Sequence, residues 1–171
     1  MKYLLLTLAL LSSYVSADYS VGYGYSNVRY TWENLARFDT QMHSLSLSAF
    51  NSSGFGVRAA YGVGNDAKDT FGSAWAVRND KVVELELLYE YNLNDDWSVF
   101  GGYGYYEYKG WLTASYSGVD HDFDTGPTIG VKYNLNKRWS VMGKLTRYYE
   151  KEKPTATVKT YAIGVFVEYN F

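Results

Sequence analysis

The stretch VKTYAIGVFVEYNF, residues 158–171, decides how this chain is read. Tyr161, Ile163, Val165, Val167, Tyr169 and Phe171 fall on every second position, with Ala162, Gly164, Phe166, Glu168 and Asn170 between them. As a β-strand it has one apolar face and one small or polar face, broken only at Phe166. A soluble sheet turns its apolar face to a core. A strand crossing a bilayer in a closed barrel does the reverse, with apolar side chains in lipid and polar ones inside. The last strand alone fits both, so the choice falls to the rest of the chain.

Seven more stretches show the same alternation: 18–30, 42–50, 54–64, 81–93, 97–109, 123–135 and 139–149. In 81–93, for example, Val83, Leu85, Leu87, Tyr89, Tyr91 and Leu93 oppose Glu84, Glu86, Glu90 and Asn92. Each is long enough for the roughly 9 to 11 residues that a tilted strand needs to cross a bilayer. The connections alternate as well. Turns at 51–53, 94–96 and 136–138 are short and rich in turn-forming residues, whereas 31–41, 65–80, 110–122 and 150–157 are longer. Short turns at one rim and long loops at the other is the layout of an outer-membrane barrel. The expected fold is all-β, an eight-stranded antiparallel up-and-down transmembrane β-barrel with both ends of the chain at the short-turn, periplasmic rim.

Residues 1–17 have the parts of a secretory signal: Lys2, an apolar run over 3–11, and the small-residue site Val15-Ser16-Ala17. The run is too short to cross a bilayer core of about 30 Å. The expected division is a signal peptide over 1–17 and one barrel domain over 18–171. The formal net charge of −2 argues against a nucleic-acid partner, for which a clustered basic surface is needed. Cysteine is absent, so no disulfide or thiolate metal site braces the chain. Nineteen tyrosines and five tryptophans against two prolines favour strands.

YNLNDDWSV at 91–99 recurs as YNLNKRWSV at 133–141. Both copies sit at a strand, short turn and strand junction, so this is one hairpin used twice. It places Tyr91, Trp97, Tyr133, Trp139, Tyr169 and Phe171 near one rim and leaves Tyr30, Trp32, Tyr105, Trp111, Tyr149 and Tyr161 near the other. Two aromatic girdles are what interfacial tyrosine and tryptophan form. A soluble lipocalin-type barrel, the alternative, has no reason to end on an apolar rim residue.

On this register the inward face carries Arg58, Lys132 and Lys144 against Glu84, Glu86, Glu90 and Glu168. Charges in a narrow space of low dielectric must be paired. They are expected to form a mixed-sign network that, with Phe100, Tyr106, Tyr108, Met142, Tyr148 and Phe166, plugs the lumen. The other reading of buried ionisable groups is an ion or proton path.

The first strand VGYGYS, the repeated hairpins and the closing VEYNF resemble the small outer-membrane barrels of Gram-negative bacteria, a group that includes the OmpX/Ail family, the OmpA transmembrane domain and opacity-type surface proteins. The resemblance covers residues 18–171. It implies an assembly signal read by the barrel assembly machinery, matched here by Tyr169 and Phe171. A glycine often stands where this chain has Phe166. It implies no cofactor, a monomer bathed in outer-membrane lipid and lipopolysaccharide, and contact with host or surface ligands through the outer loops. Phe71, Trp75, Trp111 and Tyr116 are the candidate loop contacts.

Some barrels of this size modify lipid A, which makes acyl transfer the enzymatic alternative. The acyl-hydrolase relatives keep a serine two residues from their histidine, and this chain has Leu45 after His43 and Phe123 after His121. His43, Asp39 and Ser44 imitate the acyltransferase set only loosely, and geometry decides such a set. Asp120, His121 and Asp122 on successive residues cannot converge on one ion from an extended strand.

Overall fold

The protein is described by a computed structural model covering residues 17–32, 36–68, 76–113, 124–149 and 158–171. Its strands are β1 (Asp18–Trp32), β2 (Ala36–Phe50), β3 (Phe55–Gly64), β4 (Asp66–Lys68), β5 (Ala76–Asn92), β6 (Trp97–Thr113), β7 (Asp124–Asn134), β8 (Trp139–Tyr149) and β9 (Val158–Asn170). Both β3 and β4 pair with β5. Gly62 stands opposite Val82 and Asp66 opposite Arg78, which is one unbroken register, so the two form a single stave. All pairings are antiparallel, and β1 closes on β9. The result is an eight-stave up-and-down barrel.

The staves are tilted. Partners followed from Asp18 through Phe50, Gly56, Leu88, Gly102, Thr128, Thr146 and Ala162 return to β1 at Val28, ten residues beyond the start. A stagger of that size on eight strands goes with tilts of roughly 35–45° and an interior only wide enough for side chains. The tilt also brings residues of distant strands to one level.

Parity decides what faces where. Even-numbered positions point inward along the strands wherever burial is described, below the register shift between Asn79 and Lys81 that sets Arg78 opposite Trp111. Their buried set among the described residues is sixteen polar or charged residues against eleven hydrophobic ones. Odd-numbered positions point outward and leave Leu47, Leu87 and Ile163 about two-thirds exposed, at 65%, 66% and 64%. Exposing such side chains to water forfeits about 1.5–3 kcal/mol each, so this polarity suits a barrel solvated by lipid. Outward positions between the short-turn rim and Arg29, Asp39, Lys81, Glu107 and Arg147 carry no Asp, Glu, Lys or Arg among the described residues.

The three short turns are built alike. In each, an asparagine side-chain oxygen accepts two backbone N–H bonds. Asn51 Oδ1 takes Ser53 and Phe55 at 3.0 Å each. Asn94 Oδ1 takes Asp96 at 3.0 Å and Trp97 at 2.9 Å, and Asn136 Oδ1 takes Arg138 at 2.9 Å and Trp139 at 3.0 Å. Gly54 adopts φ of 87°, which glycine reaches without strain. The ends meet at this rim, where the Phe171 N–H donates to the Tyr19 carbonyl at 2.9 Å.

The opposite rim corrects the expected boundaries. β1 and β2 stay paired as far as Trp32 and Ala36, and β5 and β6 as far as Ala76 and Thr113, inside what alternation marks as loops. Pairing between β6 and β7 ends at Tyr106 and Asp124. Beyond the bilayer both faces of a strand meet water, so the ladder continues with no hydropathy contrast to reveal it. Residues 1–16 of the expected signal segment lie outside the described residues.

Candidate functional site

The inward side chains of β5, β8 and β9 are layered along the barrel axis. From the short-turn rim, β5 presents Glu90, Leu88, Glu86 and Glu84; β8 presents Ser140, Met142 and Lys144; β9 presents Glu168 and Phe166. A charged layer, an apolar layer and a second charged layer follow. Leu88, Phe100, Met142 and Phe166 pack as the apolar layer, with Phe50 against it.

The upper layer is a ring of two cations and two carboxylates. Arg58 stands opposite Glu86 across the β3–β5 ladder. Its Nη1 donates to Glu86 Oε2 at 3.0 Å and to Glu84 Oε2 at 3.3 Å. Lys144 reaches them from β8, its Nζ donating to Glu84 Oε2 at 2.7 Å and Glu86 Oε1 at 3.0 Å. Tyr106 Oη adds a bond to Glu86 Oε1 at 2.9 Å. Each carboxylate thus meets both cations, so the ring is electrically balanced and its buried charge is compensated. Phe166 closes it from below, with its ring 4.3 Å from the Arg58 guanidinium and 5.3 Å from Lys144 Nζ.

The lower layer is sparser. Lys132 Nζ lies 3.5 Å from Glu90 and 4.0 Å from Glu168, and Ser98 Oγ donates to Glu90 at 2.5 Å. Here one cation serves two carboxylates. All seven predicted network residues therefore face the lumen, split into a group of four and a group of three. Tyr106, expected in the lumen as bulk, and Ser98, on the same inward parity, join them as hydrogen-bond donors.

On the outside, Trp97 and Tyr133 lie 4.6 Å apart, Trp139 and Tyr169 5.0 Å, and Tyr169 and Phe171 5.3 Å, a band of rings at the short-turn rim. Tyr105 and Tyr161 are exposed toward the other rim. Phe71, Trp75 and Tyr116 lie outside the described residues, as does His121. Trp111 falls on β6 opposite Arg78, with only its backbone described. The loose set of His43, Asp39 and Ser44 is not assembled. His43 Nδ1 is bonded to Tyr23 Oη at 2.7 Å on the outer face, Asp39 pairs with Arg29 at 2.7 Å, and Ser44 is buried on the inner face.

The comparisons agree with this architecture. Neisserial surface protein A superposes with a TM-score of 0.70 at 11% identity, covering 91% of this chain and 99% of that one. The attachment invasion locus protein Ail of Yersinia pestis gives 0.65 at 12% identity, with 92% and 100% covered. The N-terminal β-barrel domain of Pseudomonas aeruginosa OprF gives 0.51 at 15%, with 88% and 97% covered. Likeness at such identities speaks to fold alone. A comparison with curated proteins finds no match. The model of the outer membrane protein beta-barrel domain matches residues 3–171, and the chain belongs to that family of bacterial outer-membrane barrels.

Proposed function

We propose that the protein is an outer-membrane barrel with a plugged lumen, a surface scaffold whose long extracellular loops make adhesive or envelope contacts. The observation that carries this reading is the layered lumen. Large side chains and paired charges line it, with Arg58, Glu86 and Phe166 each 1% exposed or less, which supports a lumen closed to solutes. Activity is then left to the outer rim, where binding residues are commonly carried.

In this reading both termini are periplasmic, and Tyr169 and Phe171 act as the signal for the barrel assembly machinery. The outward band sits as a monomer among lipid and lipopolysaccharide, and Phe71, Trp75, Trp111 and Tyr116 supply loop contacts. The name of Ail marks attachment, and that protein was solved with the heparin analogue sucrose octasulfate. A sulfated polysaccharide is accordingly the first ligand to try. Cells displaying the chain should adhere to heparin-coated surfaces several-fold above cells without it. Replacing these four aromatics by serine should abolish the gain at equal surface level. Equal adhesion with and without the chain, to heparin and to host cells alike, would refute the adhesive role.

A further inference from the structure

The repeat that builds the short-turn rim is longer than its turn, and its two copies carry opposite charges. Residues 91–101 read YNLNDDWSVFG and residues 133–143 read YNLNKRWSVMG. Phe100 and Met142 differ on the inward side, where both join the apolar layer. Outside the lumen the hairpins differ only in the turn, with Asp95 and Asp96 in one and Lys137 and Arg138 in the other. The backbone matches too, Asn94 and Asn136 N–H donating to the Trp97 and Trp139 carbonyls at 3.2 and 3.3 Å. All four charged residues are exposed, and no ion pair among the described residues holds any of them. Each copy also ends on an outward glycine. A Cβ on Gly101 or on Gly143 would meet nothing nearer than 3.8 Å, so both leave shallow gaps in the outer surface. Gly101 stands opposite Ile129 and Gly143 opposite Val131, so the gaps flank β7.

We propose that a second copy of this chain docks on the β5–β8 wall, the two barrels lying side by side about a two-fold axis along the membrane normal. These four strands are consecutive staves. Two copies that face each other across this wall set β6 against β7 and β5 against β8. The acidic turn of each copy then meets the basic turn of the other, twice over, because a two-fold contact is its own complement. An unrelated partner would have to match each turn separately, whereas a second copy brings the opposite charges on the same hairpin shape. Along the wall, Ile129 and Val131 of one copy come before the gap at Gly101 of the other. Leu87 on β5, 66% exposed, comes before β8, which carries Gly143. Small residues allow close packing between membrane-embedded surfaces, where lipid removes the hydrophobic drive. The exposed charges add little affinity singly and decide which faces meet. Each copy remains a complete barrel that folds as a monomer, so pairing is a lateral step after insertion. It rests on neither the plugged lumen nor the adhesive loops.

The chain has no cysteine, so Ser53→Cys at the uncharged turn takes a single donor or acceptor dye. Barrels with either dye are refolded together into phosphatidylcholine vesicles at low salt and low protein density, and energy transfer is compared with that of random neighbours. The starting chain should exceed it. Asp95→Lys with Asp96→Arg makes both turns basic, and Lys137→Asp with Arg138→Asp makes both acidic. Either variant alone should associate about fivefold more weakly or worse. Mixing the two should restore transfer between them, as should all four changes in one chain. Gly101→Leu with Gly143→Leu fills the gaps from outside the barrel and should weaken pairing with the turns intact. Heat-modifiable migration confirms that each variant is folded. Random-level transfer in the starting chain overturns the proposal. So does transfer that neither reversal lowers, or a mixture that stays as low as its parts.

Discussion

The ring of Phe166 on β9 fills the volume that a side chain on Gly24 of β1 would need. This contact accounts for the one large residue on the polar face of the closing strand. The space for Phe166 comes from the neighbouring strand. Gly24→Val should therefore overpack the lumen and cost about 1–3 kcal/mol, or block folding. Gly101→Ala is the control, because its Cβ would point outward with nothing nearer than 3.8 Å and should change stability by no more than about 0.5 kcal/mol. Urea unfolding of the refolded barrels, followed by heat-modifiable gel migration, compares them.

Arg58→Met should be more damaging. It leaves Glu84 and Glu86 with Lys144 as their one remaining cation in the ring, and uncompensated buried charge costs about 3–5 kcal/mol. Lys132→Met removes the cation that serves both Glu90 and the 2%-exposed Glu168 and should cost a comparable amount, eased only at Glu90, which is 12% exposed. Unfolding midpoints of the two variants in the same lipid compare them.

The outward face makes a depth-dependent prediction. Leu87 lies in the middle of the apolar band and Leu93 at its short-turn edge, and both are more than half exposed. Leu87→Arg should destabilise by about 2–4 kcal/mol and Leu93→Arg by at most about 1 kcal/mol. A barrel standing in water would show no such gradient, both changes falling within about 0.5 kcal/mol.

Asn94→Ala and Asn136→Ala should have matching effects, because the repeated hairpins carry the same bonds. Beyond the side-chain oxygens, Leu93 and Leu135 N–H donate to Trp97 and Trp139 carbonyls at 2.8 Å in both. Each loss should cost about 0.5–1.5 kcal/mol per bond left unmade at this wet rim. Thermal or urea midpoints would reveal any inequality between the copies.

Much of this was legible from parity alone. Parity puts Tyr161 through Phe171 on one face, which the other strands and the alternating connections turn outward, and it puts Arg58, Glu84, Glu86, Glu90, Lys132, Lys144 and Glu168 on the inward one. What parity could not show is who meets whom. Arg58 and Glu86 are ladder neighbours, but Lys144 reaches Glu84 from the far wall, and only the stagger of the staves brings them level. Nor could alternation follow β2 back to Ala36 or β6 on to Thr113, where water on both sides removes the contrast. The pairing of Tyr23 with His43 was equally hidden, since it depends on which odd-numbered neighbours lie diagonal across β1 and β2.

The plugged lumen is the claim on which the functional reading turns, and planar-bilayer recording of the purified, refolded protein tests it most directly. The account predicts no stable current steps above those of the bare bilayer at any applied voltage the membrane tolerates. Reproducible steps of uniform size, present with the protein and absent without it, would contradict it.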